Sequence, residues 1–404
     1  MGAVVGTLVA AGVGFAPSAA AYDAQTKQWY LDPMKAEQMW KASTGEGVKV
    51  AVIDTGVNPN TSSLKGQVLA DEVPKAVAYH ATEDYEGHGT SMAELIAGTG
   101  ANGGVKGLAP GAKIVPYRIK LKGLDGAEEQ QKTPDPADAI KAAADTDAKI
   151  INMSFGSEYS DPDEAAAIKY AASKGKLLIA AAGNSGKGKG KGAMDYPASY
   201  RYVLGVSSID SSGTVSKFAS SGSYVDLAAP GEAIPAWCDA TFRSYCDDQE
   251  GTSASAAIAS ASAALIWSAH PDWTVNQVVR SLIDTAGRTW PKDEPSKYLG
   301  YGPVRPREVL EDTNYNAGSA TVDPLAKENT VNGEDVLTHI SPSVSASESA
   351  QTPASTSGGQ TSAAGSSADS SNDSNTLWIA LGGAAAVILV AGAGVAVTRA
   401  RRAR

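Results

Sequence analysis

Val48-Lys49-Val50-Ala51-Val52-Ile53-Asp54-Thr55-Gly56 decides how the rest of the chain is read. Six residues, mostly β-branched or small and apolar, lead to an aspartate and a Thr-Gly turn. The run is too short for a buried helix and does not alternate apolar with polar. It therefore reads as a parallel strand covered on both faces that meets a loop. Ile114-Val115-Pro116-Tyr117-Arg118-Ile119, Ala148-Lys149-Ile150-Ile151-Asn152-Met153 and Leu177-Leu178-Ile179-Ala180-Ala181-Ala182 read the same way. Between them, Thr90 to Ile96 carries Met92, Leu95 and Ile96 at helical spacing, and Asp163 to Ser173 is Ala-rich. A further Ala-rich helix starts at Ser253 and runs to about His270, where Pro271 stops it. Strands alternating with helices predict an α/β fold with a mainly parallel sheet covered on both faces. Sites in such sheets lie beyond the carboxyl ends of the strands, and Asp54 and Asn184 fall at two such ends.

Working outward, the ends of the 404-residue chain differ in composition from its middle. Residues 1–21 hold an apolar stretch from Val4 to Phe15 and then Ser18-Ala19-Ala20-Ala21, which predicts a signal peptide cleaved near Ala21. No Lys or Arg precedes the stretch, so an upstream start or a retained anchor stays open. Residues 22–41 form a short N-terminal extension, and 42–312 are expected to be the main folded domain, long enough for one large core. Residues 313–376 are expected to be a flexible linker. Its Ser-rich part, 341–375, cannot bury enough apolar surface to fold and would reach roughly 30–35 Å. Leu377 to Val397 carries no charge and is long enough to cross a bilayer, so 377–398 is predicted as a transmembrane helix. Arg399, Arg401, Arg402 and Arg404 make 399–404 a basic cytoplasmic tail and leave the domain outside. The expected location is thus the cell membrane, crossed once.

Net charge is −10, and no Lys/Arg block interleaves with aromatics in the middle of the chain, so nucleic acid is not expected as a partner. No Gly-rich phosphate loop or Cys/His metal cluster appears, so no cofactor or metal is expected. Carboxylates in loops such as Asp161-Pro162-Asp163 could equally cap helices or meet calcium. The two cysteines, Cys238 and Cys246, are either buried thiols or, in an oxidising compartment, a disulfide closing a small loop.

The middle holds what acyl-transfer hydrolysis requires: a nucleophile, a base, an orienting group and an oxyanion donor. Of His80, His88, His270 and His339, only His88 sits in Gly87-His88-Gly89-Thr90, at the start of an apolar helix. Ser253, in Gly251-Thr252-Ser253-Ala254-Ser255-Ala256, begins a run of small residues, where a helix start can offer its own N–H to an oxyanion. Asp54, shielded at a strand end, can fix an imidazole tautomer. Asn184, in Ala181-Ala182-Gly183-Asn184-Ser185-Gly186, can donate its amide to a developing oxyanion. Taken alone, each has an ordinary alternative: an N-cap serine, a strand-end turn, a Gly-Asn turn. Together, in the order Asp, His, Ser, they point to a serine hydrolase.

These segments, with Asn152-Met153-Ser154-Phe155-Gly156, Tyr196-Pro197-Ala198 and Ala228-Ala229-Pro230-Gly231, resemble the subtilisin-like serine proteases from about Trp40 to Leu310. The resemblance implies a three-layer α/β/α sandwich with a seven-stranded sheet. It also implies that Ser154, Phe155 and Gly156 pair with an extended substrate, that Ala182 and Gly183 wall the first specificity pocket, and that Asp195, just before Tyr196-Pro197, lies at its base. A carboxylate there would favour Lys or Arg in the substrate, unless it pairs with Lys187, Lys189 or Lys191 in the loop before it. That loop, Gly186 to Gly192, reads as a solvated surface loop or a flap. Within the family the chain is most similar to the mycosins, membrane-anchored subtilisins of type VII secretion. The likeness lies in Trp29-Tyr30-Leu31-Asp32, the short extension, Gly107-Leu108-Ala109-Pro110, and the terminal apolar run followed by arginines. The partners implied are a peptide or protein substrate and the type VII membrane complex. A generic anchored surface protease and a mainly structural, partner-binding component remain alternatives.

Overall fold

The computed structural model describes residues 23–186 and 195–329, together with Gly2. The expected signal peptide, transmembrane helix, basic tail and Ser-rich stretch, and the lysines of the Gly/Lys loop, lie outside the described residues. In chain order the helices are α1 (Ala36–Met39), α2 (His88–Ala97), α3 (Ala127–Lys132), α4 (Pro136–Ala144), α5 (Pro162–Ser173), α6 (Thr252–Ala269), α7 (Val275–Thr285), α8 (Arg307–Leu310) and α9 (Ala326–Asn329). The strands are β1 (Lys49–Asp54), β2 (Lys113–Arg118), β3 (Ile150–Met153), β4 (Leu177–Ala181), β5 (Val203–Ile209), β6 (Val225–Pro230), β7 (Ile234–Trp237) and β8 (Tyr245–Gln249).

Six of these strands form one parallel sheet in the order β2-β1-β3-β4-β5-β6. Successive side chains on a strand point to opposite faces, and here each face has its own core. Val50, Val52, Ile150 and Ile179 pack with Leu95 and Ile96 of α2 and with the apolar length of α6. Ala51, Ile53, Ile151 and Leu178 pack with Ile140 and Ala143 of α4 and Ile168 and Ala171 of α5. The chain is therefore the expected α/β/α sandwich, and its strands lack polar alternation because both faces are covered.

Among the described residues the expected seventh strand does not form. Beside β6 stands a single parallel bridge between Ala228 and Pro303. Ala228 N–H donates to Gly302 O (3.1 Å) and Val304 N–H to Ala228 O (2.9 Å). Continuing that ladder needs the N–H groups of Pro230 and Pro306, which proline lacks. The start of the expected linker also differs: residues 313–329 lie against α7. Thr274 Oγ1 donates to Ala320 O (2.8 Å) and Arg280 to Val322 O (2.9 Å), and Ala317 and Leu325 are buried.

The extension packs tightly as well. Ala24, Tyr30, Ala36 and Met39 join the α2/α6 core. Gln28 exchanges hydrogen bonds with the backbone of Lys106 (both 2.8 Å), and the indoles of Trp29 and Trp40 donate to Glu232 O (3.0 Å) and Leu108 O (2.8 Å). Burial of Tyr30 ranks with that of any large side chain in the core. Tyr30→Ala is therefore expected to cost roughly 3–5 kcal/mol, as for other large aromatic truncations. A urea denaturation midpoint that does not move would show the extension to be energetically dispensable.

Candidate active site

Asp54 ends β1 with none of its surface exposed. Its Oδ1 accepts from Thr55 N–H (2.7 Å) and lies 2.7 Å from His88 Nδ1. Its Oδ2 is buried without a hydrogen-bond partner among the described residues. In the neutral ring, with Nδ1–H given to the carboxylate, Nε2 of His88 is left as the acceptor, the tautomer a general base needs. His88 is the first residue of α2, as its place in Gly87-His88-Gly89-Thr90 suggested, and its side chain is 34% exposed. Burial pulls the imidazole pKa down. The charge and hydrogen bond of Asp54, with smaller contributions from Asp84 and Glu86, outweigh this and push it up to about 9.

Asp84 was not singled out in the sequence. It is buried, and its Oδ1 accepts from Thr55 Oγ1 (2.7 Å), Gly87 N–H (2.7 Å) and Glu86 N–H (3.0 Å). Its Oδ2 accepts from the N–H (2.8 Å) and hydroxyl (2.6 Å) of Thr90. It thus caps the first turn of α2 and fixes where the histidine helix starts. The available signal was an aspartate four residues before His88; recognising it required knowing that the intervening loop folds its carboxylate back onto the first turn of α2.

Ser253 lies in the first turn of α6, at the carboxyl end of β3, the neighbour of β1. Its hydroxyl donates to Ser154 O (2.9 Å), and the Ser154 hydroxyl donates to Ser253 O (3.0 Å). This reciprocal pair ties the helix start to the end of β3. Thus Asp54 and His88 are in direct contact, whereas the Ser253 hydroxyl is turned to a main-chain oxygen. Asn184 follows β4, and its Oδ1 accepts from both N–H and Oγ1 of Thr252 (2.9 Å each). With that end of the amide engaged, the NH₂ end faces Gly251. A Cβ built on Gly251 would sit 3.5 Å from Asn184 Nδ2 and 3.8 Å from Ser253 N. Asn184 Nδ2 and Ser253 N therefore both lie within 4 Å of one position beside Gly251.

Past β3, Phe155 is half-buried and Gly156 is exposed, and Ser157 bridges Tyr196. Asp195 is only 6% exposed. Its carboxylate lies 4.0 Å from a Cβ position on Gly156 and would collide with one on Gly183, at 2.0 Å. Gly183 has φ of +101°, so this position needs glycine twice over. Ala182 is buried, and its carbonyl accepts from the Tyr224 hydroxyl (3.2 Å). Cys238 and Cys246 form a disulfide joining β7 to β8. Two other histidines have separate surroundings: His80 stacks on Tyr79, and His270 on Trp273. His339 lies outside the described residues.

A family model described as the subtilase family matches residues 45–302. Among curated relatives, the minor extracellular protease Epr of Bacillus subtilis (strain 168) is 31% identical over 73% of this chain, which spans 44% of Epr. Among solved structures, the MycP3 protease from the type VII (ESX-3) secretion system is 29% identical with a TM-score of 0.57, covering 73% of this chain and 90% of that one. MycP1 from Mycobacterium smegmatis is 27% identical with a TM-score of 0.58, covering 76% and 89%.

Asp54→Asn removes the charge that holds the His88 imidazole up, so its pKa, followed by NMR titration, is expected to fall towards or below about 6.5. The raised native pKa stabilises the fold fully below about pH 6.5, and that contribution is lost as pH rises through the raised value. The stability gap between wild type and Asp54→Asn should therefore narrow across that window. A midpoint that ignores the substitution would show the two side chains to be uncoupled.

Proposed function

This chain belongs to the subtilase family, and from that premise we propose that it is a serine endopeptidase with Ser253 as nucleophile, His88 as general base and Asp54 as the orienting carboxylate. The observation that carries the reading is the 2.7 Å contact between His88 Nδ1 and a fully buried Asp54, at the sheet edge where α6 presents Ser253. In the reaction the Ser253 hydroxyl turns from Ser154 O to His88 Nε2. That exchange gives up one neutral hydrogen bond, worth about 1 kcal/mol net. The oxygen then bonds to the scissile carbonyl carbon as its proton passes to Nε2. The carbonyl oxygen takes the negative charge between Asn184 Nδ2 and Ser253 N–H. Collapse breaks the C–N bond, and the leaving amine takes the proton from His88. Water, deprotonated by the same imidazole, then hydrolyses the acyl ester and returns Ser253 to its starting state.

The backbone of Ser154, Phe155 and Gly156 is the proposed edge for an extended substrate, with Ala182 and Gly183 walling the first pocket. The placement of Asp195 between Gly156 and Gly183 supports a preference for Lys or Arg in that pocket. MycP3 is a protease of a type VII secretion system. That likeness, with the apolar run Leu377–Val397 and its following arginines, supports a domain held at the outer face of the cell membrane and acting on or with such a system. Among the described residues, the helix apolar and long enough to cross a bilayer is α6, but it is packed inside the domain. The anchoring proposal therefore rests on 377–398.

Fluorophosphonate labelling of the intact protein should modify Ser253 and vanish in Ser253→Ala. Asn184→Ala is expected to lose turnover in the range of roughly 10²–10³ measured for the matching asparagine in subtilisin itself. Peptides with Arg or Lys before the cleaved bond should outperform those with Leu, and Asp195→Asn should erase the difference. Labelling at another residue would end the triad assignment, and equal cleavage of Leu and Arg peptides by the wild type would end the pocket assignment.

A further inference from the structure

Helix α2 carries an acid where none is expected. Every residue from Gly89 to Ala97 is buried, and among them Glu94 has no exposed surface. Its Oε1 accepts from the Thr61 hydroxyl (2.6 Å) and its Oε2 from the Tyr245 hydroxyl (2.8 Å). Burial pushes this carboxyl up to about 7, while the two hydroxyls and the nearby Trp237 indole pull the other way. Glu94 therefore joins the histidine helix to the loop after β1 and to the first residue of β8. Loss of the acid would strand two buried hydroxyls.

The same hairpin meets the helix at two more points, both next to His88. Trp237 N–H at the end of β7 donates to Ser91 Oγ (3.0 Å), and that hydroxyl donates to Gly87 O (2.7 Å). A Cβ on Gly87 would sit 2.9 Å from the Asp239 carbonyl, so the hairpin backbone rests directly on the residue before the histidine. Trp237 and Tyr245, which make these contacts, also stack on each other with centroids 3.9 Å apart. Cys238 directly follows the first and Cys246 the second. The disulfide thus fastens together the two residues that grip α2. Without it the two strands keep their β7–β8 pairing, and the turn between them keeps Cys238 N–H to Ser244 O (3.1 Å), Phe242 N–H to Asp239 O (3.3 Å) and Thr241 N–H to Asp239 Oδ1 (2.8 Å).

We propose that Glu94 and the Cys238–Cys246 hairpin are positioning elements for His88, making turnover dependent on the bridge. This rests on the triad reading above. Reduction by a dithiol moves two electrons and two protons onto the cysteines, giving two thiols and the oxidised dithiol, and releases the brace. A chain made in a reducing compartment would hold His88 loosely, and oxidation outside would set it.

The test uses the intact protein, oxidised or reduced with dithiothreitol and capped with iodoacetamide, at a temperature well below melting by circular dichroism. Measured are kcat and KM on a peptide and the rate of fluorophosphonate labelling at Ser253. Misplacing a catalytic group by about an ångström can cost 10²-fold. Reduction is expected to lower kcat and the labelling rate by roughly tenfold or more with KM nearly unchanged, and reoxidation of uncapped protein should restore both. A bridge that only stabilises the fold would lower the melting temperature and leave kcat alone, which would overturn the proposal. Glu94→Ala should act like reduction, while Glu94→Gln, which keeps an acceptor, should retain most turnover. If Glu94→Ala does not fold, Tyr245→Phe, which removes one hydroxyl, takes its place, and wild-type kcat there would overturn the role of Glu94. Oxidised wild type that fails to label at Ser253 would overturn the triad and the brace together. Equal labelling before and after reduction would overturn the brace alone.

Discussion

A carboxylate cut off from water is held at the end of a buried strand, and much of the surrounding structure offsets that cost. Removing a charge from solvent without partners is expensive. Asp54 is compensated by the Thr55 N–H and the His88 imidazole on a single oxygen. The imidazole stays in place because α2 starts where it does, and Asp84 sets that start through Thr55, Gly87 and Thr90. Two buried acids therefore divide the work. Asp54 raises the basicity of the imidazole, and Asp84 fixes the helix turn on which it stands. Their placement on adjoining segments explains why Thr55 touches both carboxylates.

The opposite partner of the site depends on a different constraint, the closeness of α6 to the sheet. That helix packs across β3, β4, β5 and β6 and is buried along nearly its whole length. Alanine and serine dominate it up to Ala264 because a helix covered on all sides, lying close to a sheet, has no room for a polar face and little for bulky side chains; Leu265, Ile266 and Trp267 come only in its last turns. Its serines are satisfied internally: Ser260 donates to Asn152 (3.0 Å) and Ser262 to Ile258 O (2.8 Å). The small side chains that let the helix pack also bring its N-terminal turn against the ends of β3 and β4. There Ser154 and Asn184 hold Ser253 and Thr252.

Strands β1 to β4 and helices α2, α5 and α6 were legible because their signals are local: unbroken apolar runs for two-sided burial, and apolar spacing or Ala-rich runs for the covering helices; β5, β6, α4 and α7 were not read. Asp54 and Asn184 could be placed at strand ends for the same reason. What escaped notice depends on contacts between distant parts of the chain. Glu94 meets Tyr245 and Ser91 meets Trp237 across about 150 residues of sequence, and no periodicity reports such a meeting. Docking of 313–329 on α7 uses mainly backbone carbonyls as acceptors, which any sequence provides. The missing edge strand was in principle readable, since Pro230 and Pro306 remove the needed donors. That inference, however, requires the register around Ala228 and Pro303 to be known first.

The hydroxyl of Ser253 marks the boundary between what the fold dictates and what a substrate must add. Sheet and helix fix its backbone and the donors beside it, but its side chain rests on Ser154 O. That same carbonyl lies on the edge proposed to pair with an extended peptide, and such pairing brings a peptide N–H to a strand-edge carbonyl. A carbonyl has two lone pairs, so the incoming N–H competes with the serine hydroxyl without necessarily expelling it. In the proposed mechanism the competition favours the orientation in which the hydroxyl turns to His88 once that ring is neutral, because its Nε2 is then an acceptor whose basicity Asp54 has raised. A single neutral hydrogen bond is worth about 1 kcal/mol, so the resting contact can be exchanged without rearranging the framework that Asp54 and Asp84 hold in place.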